Sequence, residues 1–336
     1  MKNLRTSSTP RREGAVVLAT VAAAALCALL SLCLGAVRLA PGALLGALSQ
    51  GTSTVSGRIL RFVRLPRTLG ALLTGAALGV SGVVIQTVLH NPLAAPNIIG
   101  INAGAGFAVA LAAVCFPGAV SGVPWLAFAG SLGAVALVLL ISRLTGASKI
   151  TLVLGGVMIS SLFNAAIDAL LTFQPDALTG YADFRVGSFA GLTMARVGAA
   201  AWPVAIALGG ILLMASQLEI LSLGDETASS LGLSVRPVRR TALLLAAVLA
   251  GSAVSLAGII GFVGLIVPHF IRRLTGEKLL PLLLASAFGG GAFVSLCDTL
   301  ARTAFAPYEL PVGVVLSFIG VPVFLWQLMS SRRHGR

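Results

Sequence analysis

The chain has 336 residues, of which 57% are hydrophobic and only 10% are charged, and its mean hydropathy is +1.01. Charged side chains normally cover the surface of a soluble domain, so this composition excludes a soluble enzyme or binding module. It predicts an all-α integral membrane protein. The net charge of +13 does not indicate a nucleic-acid partner, because the basic residues are spread through the loops between apolar runs.

Nine runs are long and apolar enough to span a bilayer as helices, which takes roughly 20 residues each. In chain order they are 15–37, 67–89, 98–116, 123–144, 150–173, 197–216, 238–258, 278–301 and 310–330. The segment GIIGFVGLIVPHFIRR (258–273) remains, and its apolar part reaches only about 18 Å as a helix. It is either a surface piece or a tenth, shortened span.

The distribution of basic residues favours the tenth span. With ten spans, 15 of the 23 basic residues lie on the side of the N-terminus and 8 lie opposite, whereas nine spans give 10 and 13. The positive-inside rule therefore predicts about ten transmembrane helices with both termini in the cytoplasm. We expect short cytoplasmic tails (1–14 and 331–336) around a single transmembrane domain (15–330).

The predicted external loop before span two is unusually basic. It carries Arg38, Arg58, Arg61, Arg64 and Arg67, against the positive-inside rule. Long side chains that reach the bilayer surface explain one or two of them. The surplus predicts that an acidic partner meets this loop from outside.

Three residue pairs suggest an internal repeat that begins at spans two and seven. The pairs, separated by equal numbers of residues, are Gly75 with Gly251, Gly82 with Gly258, and Pro92 with Pro268. Since five crossings separate the two copies, they would run in opposite directions, a recurrent plan of transporters.

The same region has a simpler structural interpretation. Gly75, Gly79 and Gly82 share one helix face and predict a seam of close helix packing. Pro92 and Pro96 predict a turn after span two, because proline lacks the amide proton that a helix interior needs.

Span five carries a polar stripe. Ser161, Asn164, Asp168 and Thr172 are spaced by three or four residues and lie on one helix face. Acidic residues within spans rarely face lipid, so we expect Asp168 to face the bundle interior or a watery cavity. The stripe indicates either a translocation pathway or hydrogen bonds between helices.

The predicted cytoplasmic segment 217–240 contains LSLGDETASSLGLSVRPVRR (221–240) and is typical of one or two short helices. Asp225 is expected to cap a two-turn helix, and Gly232 is expected to end it in a left-handed conformation. Ala228 and Leu231 are expected to form one small apolar face. The alternative is a solvated loop.

No catalytic, nucleotide-binding or metal-binding motif is found in the sequence. None of the three lysines follows a glycine, so the GxxxxGK[ST] loop that binds ATP is absent. The four cysteines show no CxxC spacing, and His90 and His269 are expected at helix ends without a ligand role. We expect no cofactor and no metal in this chain.

Several long motifs carry a family resemblance over residues 15–330. They are RLPRTLGALLTGAALGVSG with Gln86, NPLAAPNIIGINAGAG, LGDETASSLGL, GIIGFVGLIVPHFIRR and ELPVGVVLSFIGVPVFLWQL. In order and spacing the chain resembles the FecCD/BtuC family, the membrane permeases of ABC importers for iron–siderophores, haem and cobalamin. The resemblance implies the type II ABC importer architecture in the bacterial cytoplasmic membrane, with an iron–siderophore complex as the expected substrate and haem or cobalamin as alternatives.

The resemblance also implies partners and roles. The partners are two ATPase subunits that bind ATP and Mg, an external substrate-binding protein and a second, identical or paralogous, permease. Arg64, Arg67 and Arg302 would receive acidic side chains of the binding protein. Gly224, Ala228, Leu231 and Gly232 would contact the ATPase, and the span-five stripe would line the pathway. An ion-gradient transporter with Asp168 as its coupling site is the competing function.

Overall fold

The computed structural model describes residues 10–35, 46, 53–116, 122–146 and 149–333, and all regular secondary structure in these ranges is helical. Seven of these helices are long and apolar enough to cross a membrane. The second is a continuous rod in which α2 (Val55–Ile59) and a π-helical turn (Leu60–Arg64) lead into α3 (Leu65–Leu89). The others are α1 (Pro10–Cys33), α5 (Val123–Leu144), α6 (Lys149–Phe173), α8 (Met194–Leu213), α11 (Val235–Ala257) and α13 (Leu279–Thr303).

Three further helices complete the bundle. They are α4 (Ile101–Cys115), α12 (Val263–Thr275) and α14 (Val312–Arg333). The 13 residues of α12 extend about 20 Å, less than the thickness of the hydrocarbon core, and they occupy the segment 258–273 that is predicted as a shortened span. The predicted all-α fold of about ten spans is confirmed. Below, the N-terminal face is the side of the bundle where α1 begins, and the opposite face is where α1 ends.

Helix α3 lies at the centre of the bundle, with 20 of its 25 residues buried. A Cβ added to Gly75 would lie 2.1 Å from the carbonyl oxygen of Gly290, and one added to Gly82 would lie 1.9 Å from that of Gly264. Backbones approach this closely only where both helices lack side chains. The predicted glycine seam is confirmed, and it packs α3 against α13 and α12.

The turn predicted after span two is also present. Helix α3 ends at Leu89, His90 adopts a left-handed conformation (φ 50°), and a 3₁₀ turn covers Pro96–Ile99. The residue pairs of the proposed repeat are less alike. Pro92 lies in the turn whereas Pro268 lies inside α12, so the two prolines are not structurally equivalent.

Among the described residues, three short helices lie outside the predicted spans, and they were not assigned from hydropathy. Helix α7 (Ala177–Val186) follows span five on the opposite face. Helices α9 (Ala215–Ser222) and α10 (Asp225–Ser230) follow span six on the N-terminal face. They place short surface elements at both ends of the bundle, where partner proteins meet a membrane protein.

Candidate functional site

A buried cluster of charges lies at the opposite face, where α3 begins and α13 ends. The Nε of Arg67 donates to Oδ1 of Asp298 at 3.1 Å, and the Nε of Arg302 lies 3.1 Å from Oδ2 of the same carboxylate. The Asp298 side chain is fully buried. The pairing of Asp298 with Arg302, one helical turn apart, is the contact that their spacing allows.

A second carboxylate reaches the cluster from the loop before α14. The Nη1 of Arg67 donates to Oε2 of Glu309 at 2.6 Å. The side chain of Glu309 is 41% exposed, whereas that of Arg67 is only 6% exposed. Glu309 therefore lies over Arg67 on its solvent side, and this partner was not identified from the sequence.

The end of α1 supplies the neutral hydrogen-bond acceptors of the cluster. Arg302 donates from Nη2 to the hydroxyl of Ser31 at 2.7 Å, and this hydroxyl shares a 2.7 Å hydrogen bond with Thr68. Arg64 donates to the carbonyl oxygen of Leu32. Burial of three guanidinium groups is tolerated because each finds hydrogen-bond partners inside the protein.

The three arginines predicted to dock a binding protein are thus assembled in one place, but all three are buried, at 2–5% exposure. The cluster holds three positive and two negative side chains, so one positive charge remains in excess. Arg58 and Arg61 add exposed positive charge on the same side. The opposite face therefore presents a positive field, although the predicted residues themselves are not on the surface.

The loop that carries Glu309 leads to Gly313, which borders a cleft at the start of α14. The amide of Leu310 donates to the carbonyl of Ala301 at 3.0 Å, and that of Gly313 donates to the carbonyl of Gly187 at 3.2 Å. The cleft next to this contact has a volume of about 690 Å³. Its lining includes Arg185, Val186, Ile259, Val314 and Phe318.

Residues 217–240, named the coupling segment here after their expected contact with the ATPase, have the predicted short helix with one change. Gly224 (φ 109°) precedes the helix, so Asp225 is its first residue and not its cap. Gly232 (φ 83°) ends it, and the amides of Leu233 and Gly232 return to the carbonyls of Ala228 and Ser229, which is a Schellman motif. The expected left-handed termination at Gly232 is confirmed.

The prediction that Ala228 and Leu231 form one apolar face of this helix is wrong. Ala228 is completely buried against the chain's own bundle, whereas Leu231 is 61% exposed. The two side chains therefore point in different directions, because Leu231 lies beyond the last helical residue. Leu231 is the apolar side chain of this pair that a partner could contact directly.

Asp225 connects this short helix to two spans. Its carboxylate lies 3.0 Å from Nζ of Lys149, at the start of α6, and accepts a 2.6 Å hydrogen bond from Nη2 of Arg239 in α11. Burial alone would raise the pKa of Asp225, but the hydrogen bonds and charges of Arg239 and Lys149 outweigh it and lower this pKa. A cleft of about 530 Å³ lies beside the ion pairs.

The polar stripe of span five lies on the outside of the single chain. Ser161, Asn164, Asp168 and Thr172 are all exposed, and the Thr172 hydroxyl donates to the Asp168 carbonyl of its own helix. Asp168 therefore does not face the interior of this helix bundle. A watery cavity outside the single bundle remains as its expected environment, because a bare carboxylate in lipid is costly.

No metal site is present in the described ranges, where no three His, Cys, Asp or Glu side chains cluster suitably. The excess positive charge of the opposite face is suited to a negatively charged partner, whereas the N-terminal face presents the exposed apolar side chain of Leu231.

Comparison with known proteins identifies this architecture. The sequence model of the FecCD transport family matches residues 23–330. The chain belongs to the FecCD transport family. The predicted role as a permease of an ABC transporter is thereby confirmed.

Similar members of the FecCD family have been described in several bacteria. The chain is 39% identical over 315 residues to the iron(3+)-hydroxamate import permease FhuG of Bacillus subtilis (strain 168), covering 90% of this chain and 93% of FhuG. It is 38% identical over 286 residues to the hemin transport permease HmuU of Yersinia pestis, covering 81% and 83%. It is 37% identical over 319 residues to the Fe(3+) dicitrate permease FecD of Escherichia coli (strain K12), covering 95% and 99%.

A solved structure has the same fold. An inward-facing metal-chelate type ABC transporter matches with a TM-score of 0.85 at 29% identity, covering 94% of this chain and 99% of that chain. A second match, PsaBC from Streptococcus pneumoniae in complex with Fab, has a TM-score of 0.59 at 19% identity and shows likeness of fold alone. The first match agrees with the type II importer architecture expected for a FecCD permease.

Proposed function

We propose that this chain is the membrane-spanning subunit that imports an iron–siderophore complex across the bacterial cytoplasmic membrane, using ATP hydrolysed by a separate subunit. The observation that carries the proposal is the match of the FecCD family to residues 23–330, together with a fold shared with a metal-chelate ABC transporter. The chain would act as one of two permeases, identical or paralogous, above two ATPase subunits that bind ATP and Mg.

The opposite face is the external one in this proposal, and the N-terminal face is cytoplasmic. A substrate-binding protein with acidic side chains would dock over the cluster of Arg64, Arg67 and Arg302, where positive charge is in excess. Exposed Arg58 and Arg61 would attract this protein over a distance of about 8 Å, the screening length at physiological salt.

The ATPase would bind at the N-terminal face. Leu231 and Gly232 are exposed at the end of helix α10, and they would contact the groove of the ATPase directly. Gly224 and Ala228 would act by shaping the segment, since Ala228 is buried under it. The exposed stripe of Ser161, Asn164, Asp168 and Thr172 would line the pathway once a second permease faces it.

The relatives support two substrate classes. Permeases for iron hydroxamate and iron citrate are 37–39% identical over at least 90% of this chain, which favours an iron–siderophore. The hemin permease is 38% identical over 81%, so haem is the second candidate, with cobalamin a further alternative.

The test is competition for uptake by the assembled transporter in proteoliposomes. Radio-iron ferric hydroxamate is offered with an excess of unlabelled ferric citrate, hemin or cobalamin. Import of the hydroxamate, undiminished by hemin and cobalamin, is the expected result. Import of hemin in preference to every iron chelate would replace the proposed substrate.

A further inference from the structure

Glu309 and Asp298 share Arg67 but differ in accessibility. Arg67 donates through two separate edges of its guanidinium group, from Nε to buried Asp298 and from Nη1 to Glu309. The side chain of Asp298 is 0% exposed and that of Glu309 is 41% exposed. An external carboxylate can therefore replace Glu309 at the Nη1 edge while Asp298 keeps Arg67 in place, because only Glu309 can leave toward water.

The charge of the cluster makes such an exchange favourable. With three guanidinium groups and two carboxylates, the cluster attracts a further negative charge. An incoming carboxylate that took the Nη1 edge would form a charge-assisted hydrogen bond of the same kind as the one lost. Glu309, once released, keeps its hydration because it already lies at the surface.

The segment that follows Glu309 runs to Gly313, which lines the 690 Å³ cleft. Leu310 bonds to Ala301, and Gly313 bonds to Gly187, immediately after helix α7. A Cβ on Gly313 would lie only 2.0 Å from the carbonyl oxygen of Val186, so the two backbones are in close contact. Displacement of Glu309 therefore acts on the start of α14 and on α7, which border the cleft.

From these contacts we propose that Glu309 occupies the position that a carboxylate of a docking protein takes, and that its displacement from Arg67 couples docking to movement at the cleft between α7 and α14. The inference rests on the proposed function, because it needs a binding protein with acidic side chains. It assigns Glu309 as a positioning residue, which acts through Arg67 and the 309–313 segment and touches no substrate.

The first experiment uses the chain alone in nanodiscs. Phenylglyoxal modifies accessible arginines, and peptide mass spectrometry gives the rate at Arg67. Glu309→Gln should raise this rate severalfold, whereas Asp176→Asn, which neutralises an exposed acid on the same face, should leave it unchanged. An equal rate in Glu309→Gln and in the unmodified chain would overturn the proposal.

The second experiment measures uptake by the assembled transporter as a function of binding-protein concentration. In Glu309→Gln the half-saturating concentration should fall about two- to fivefold, the range expected when one competing exposed ion pair is lost. Maximal uptake per ATP should fall as well, and Glu309→Asp should restore both values. A variant that was merely misfolded would not bind its partner more tightly.

The outcomes separate this inference from the function on which it rests. If the half-saturating concentration is unchanged or raised in Glu309→Gln, the proposed exchange of Glu309 for an external carboxylate is overturned. Uptake by the unmodified chain would in that case still support the proposed function. Failure of uptake in the unmodified chain and in Asp176→Asn alike contradicts both the proposed function and the exchange.

Discussion

The carboxylate of Asp225 forms an ion pair with Nζ of Lys149 at 3.0 Å. This contact joins helix α10 to Lys149, the first residue of helix α6, which is span five. Span five, helix α6, also carries the exposed polar stripe from Ser161 to Thr172. A displacement of the coupling segment on the N-terminal face would thus reach the helix proposed to line the pathway. Arg239 ties the same carboxylate to α11, so two spans would move with it.

Neutralising Asp225 should therefore uncouple the transporter. In Asp225→Asn, we expect ATP hydrolysis to continue while imported substrate per ATP falls severalfold, because neither cation keeps its carboxylate partner. Glu226→Gln is the matched control, since Glu226 is an exposed neighbour in the same helix. Uptake and phosphate release measured together in proteoliposomes check this, and an unchanged ratio in Asp225→Asn would refute the link.

The ion pairs of Asp225 also predict a pH dependence. Because its pKa is lowered in the folded protein, the carboxylate contributes stability above its unfolded value, about 3.9, and this stability is lost as the pH falls through the lowered value. The difference in midpoint of thermal unfolding between the unmodified chain and Asp225→Asn should stay constant from pH 8 to about pH 5. A difference that disappears already at pH 6 would show that Asp225 is not held in its charged form.

The glycine seam predicts the effect of a single methyl group. Gly75→Ala would place its Cβ 2.1 Å from the carbonyl oxygen of Gly290, and forcing these helices apart should cost about 1–3 kcal/mol. Gly133→Ala is the control, because nothing lies within 4 Å of its added Cβ and it should be neutral or stabilising by about 0.5–1 kcal/mol. Thermal unfolding in detergent measures both variants. Equal stability of the two would contradict the packing of α3 on α13.

The proposed orientation predicts which side the C-terminus occupies. A cysteine replacing Gly335 should be protected from an impermeant thiol reagent in intact cells and react after permeabilisation. The background should carry Cys115→Ser, because Cys115 is exposed at the end of α4 on the face proposed to be external. Labelling of Gly335→Cys from outside would reverse the assignment of the two faces.

Much of the fold could be predicted because hydropathy and charge act locally along the chain. Span four is predicted at 123–144 and observed at Val123–Leu144. The helix α12 occupies the segment that the distribution of basic residues assigns to a shortened span. Short surface helices such as α7 were missed, because about ten residues of mixed polarity give no clear periodic signal.

The burial of Arg64, Arg67 and Arg302 could not be predicted for a different reason. Arg67 is 231 residues from Asp298 and 242 residues from Glu309 in sequence, and these partners meet only when the ends of α3, α13 and α14 pack together. The pairing of Asp298 with Arg302 can be predicted from the sequence, because residues four apart on a helix lie close together. The environment of Asp168 would likewise depend on the second permease that we propose, which a single sequence does not describe.

The most direct test of the central claim is uptake of radio-iron chelate by proteoliposomes that contain this permease with and without its ATPase subunit. We predict ATP-dependent uptake only with the ATPase present, none when the ATPase carries a substituted Walker A lysine, and no ATP hydrolysis by the permease alone. Uptake driven by an ion gradient in the absence of the ATPase would contradict the account and identify the chain as a secondary transporter.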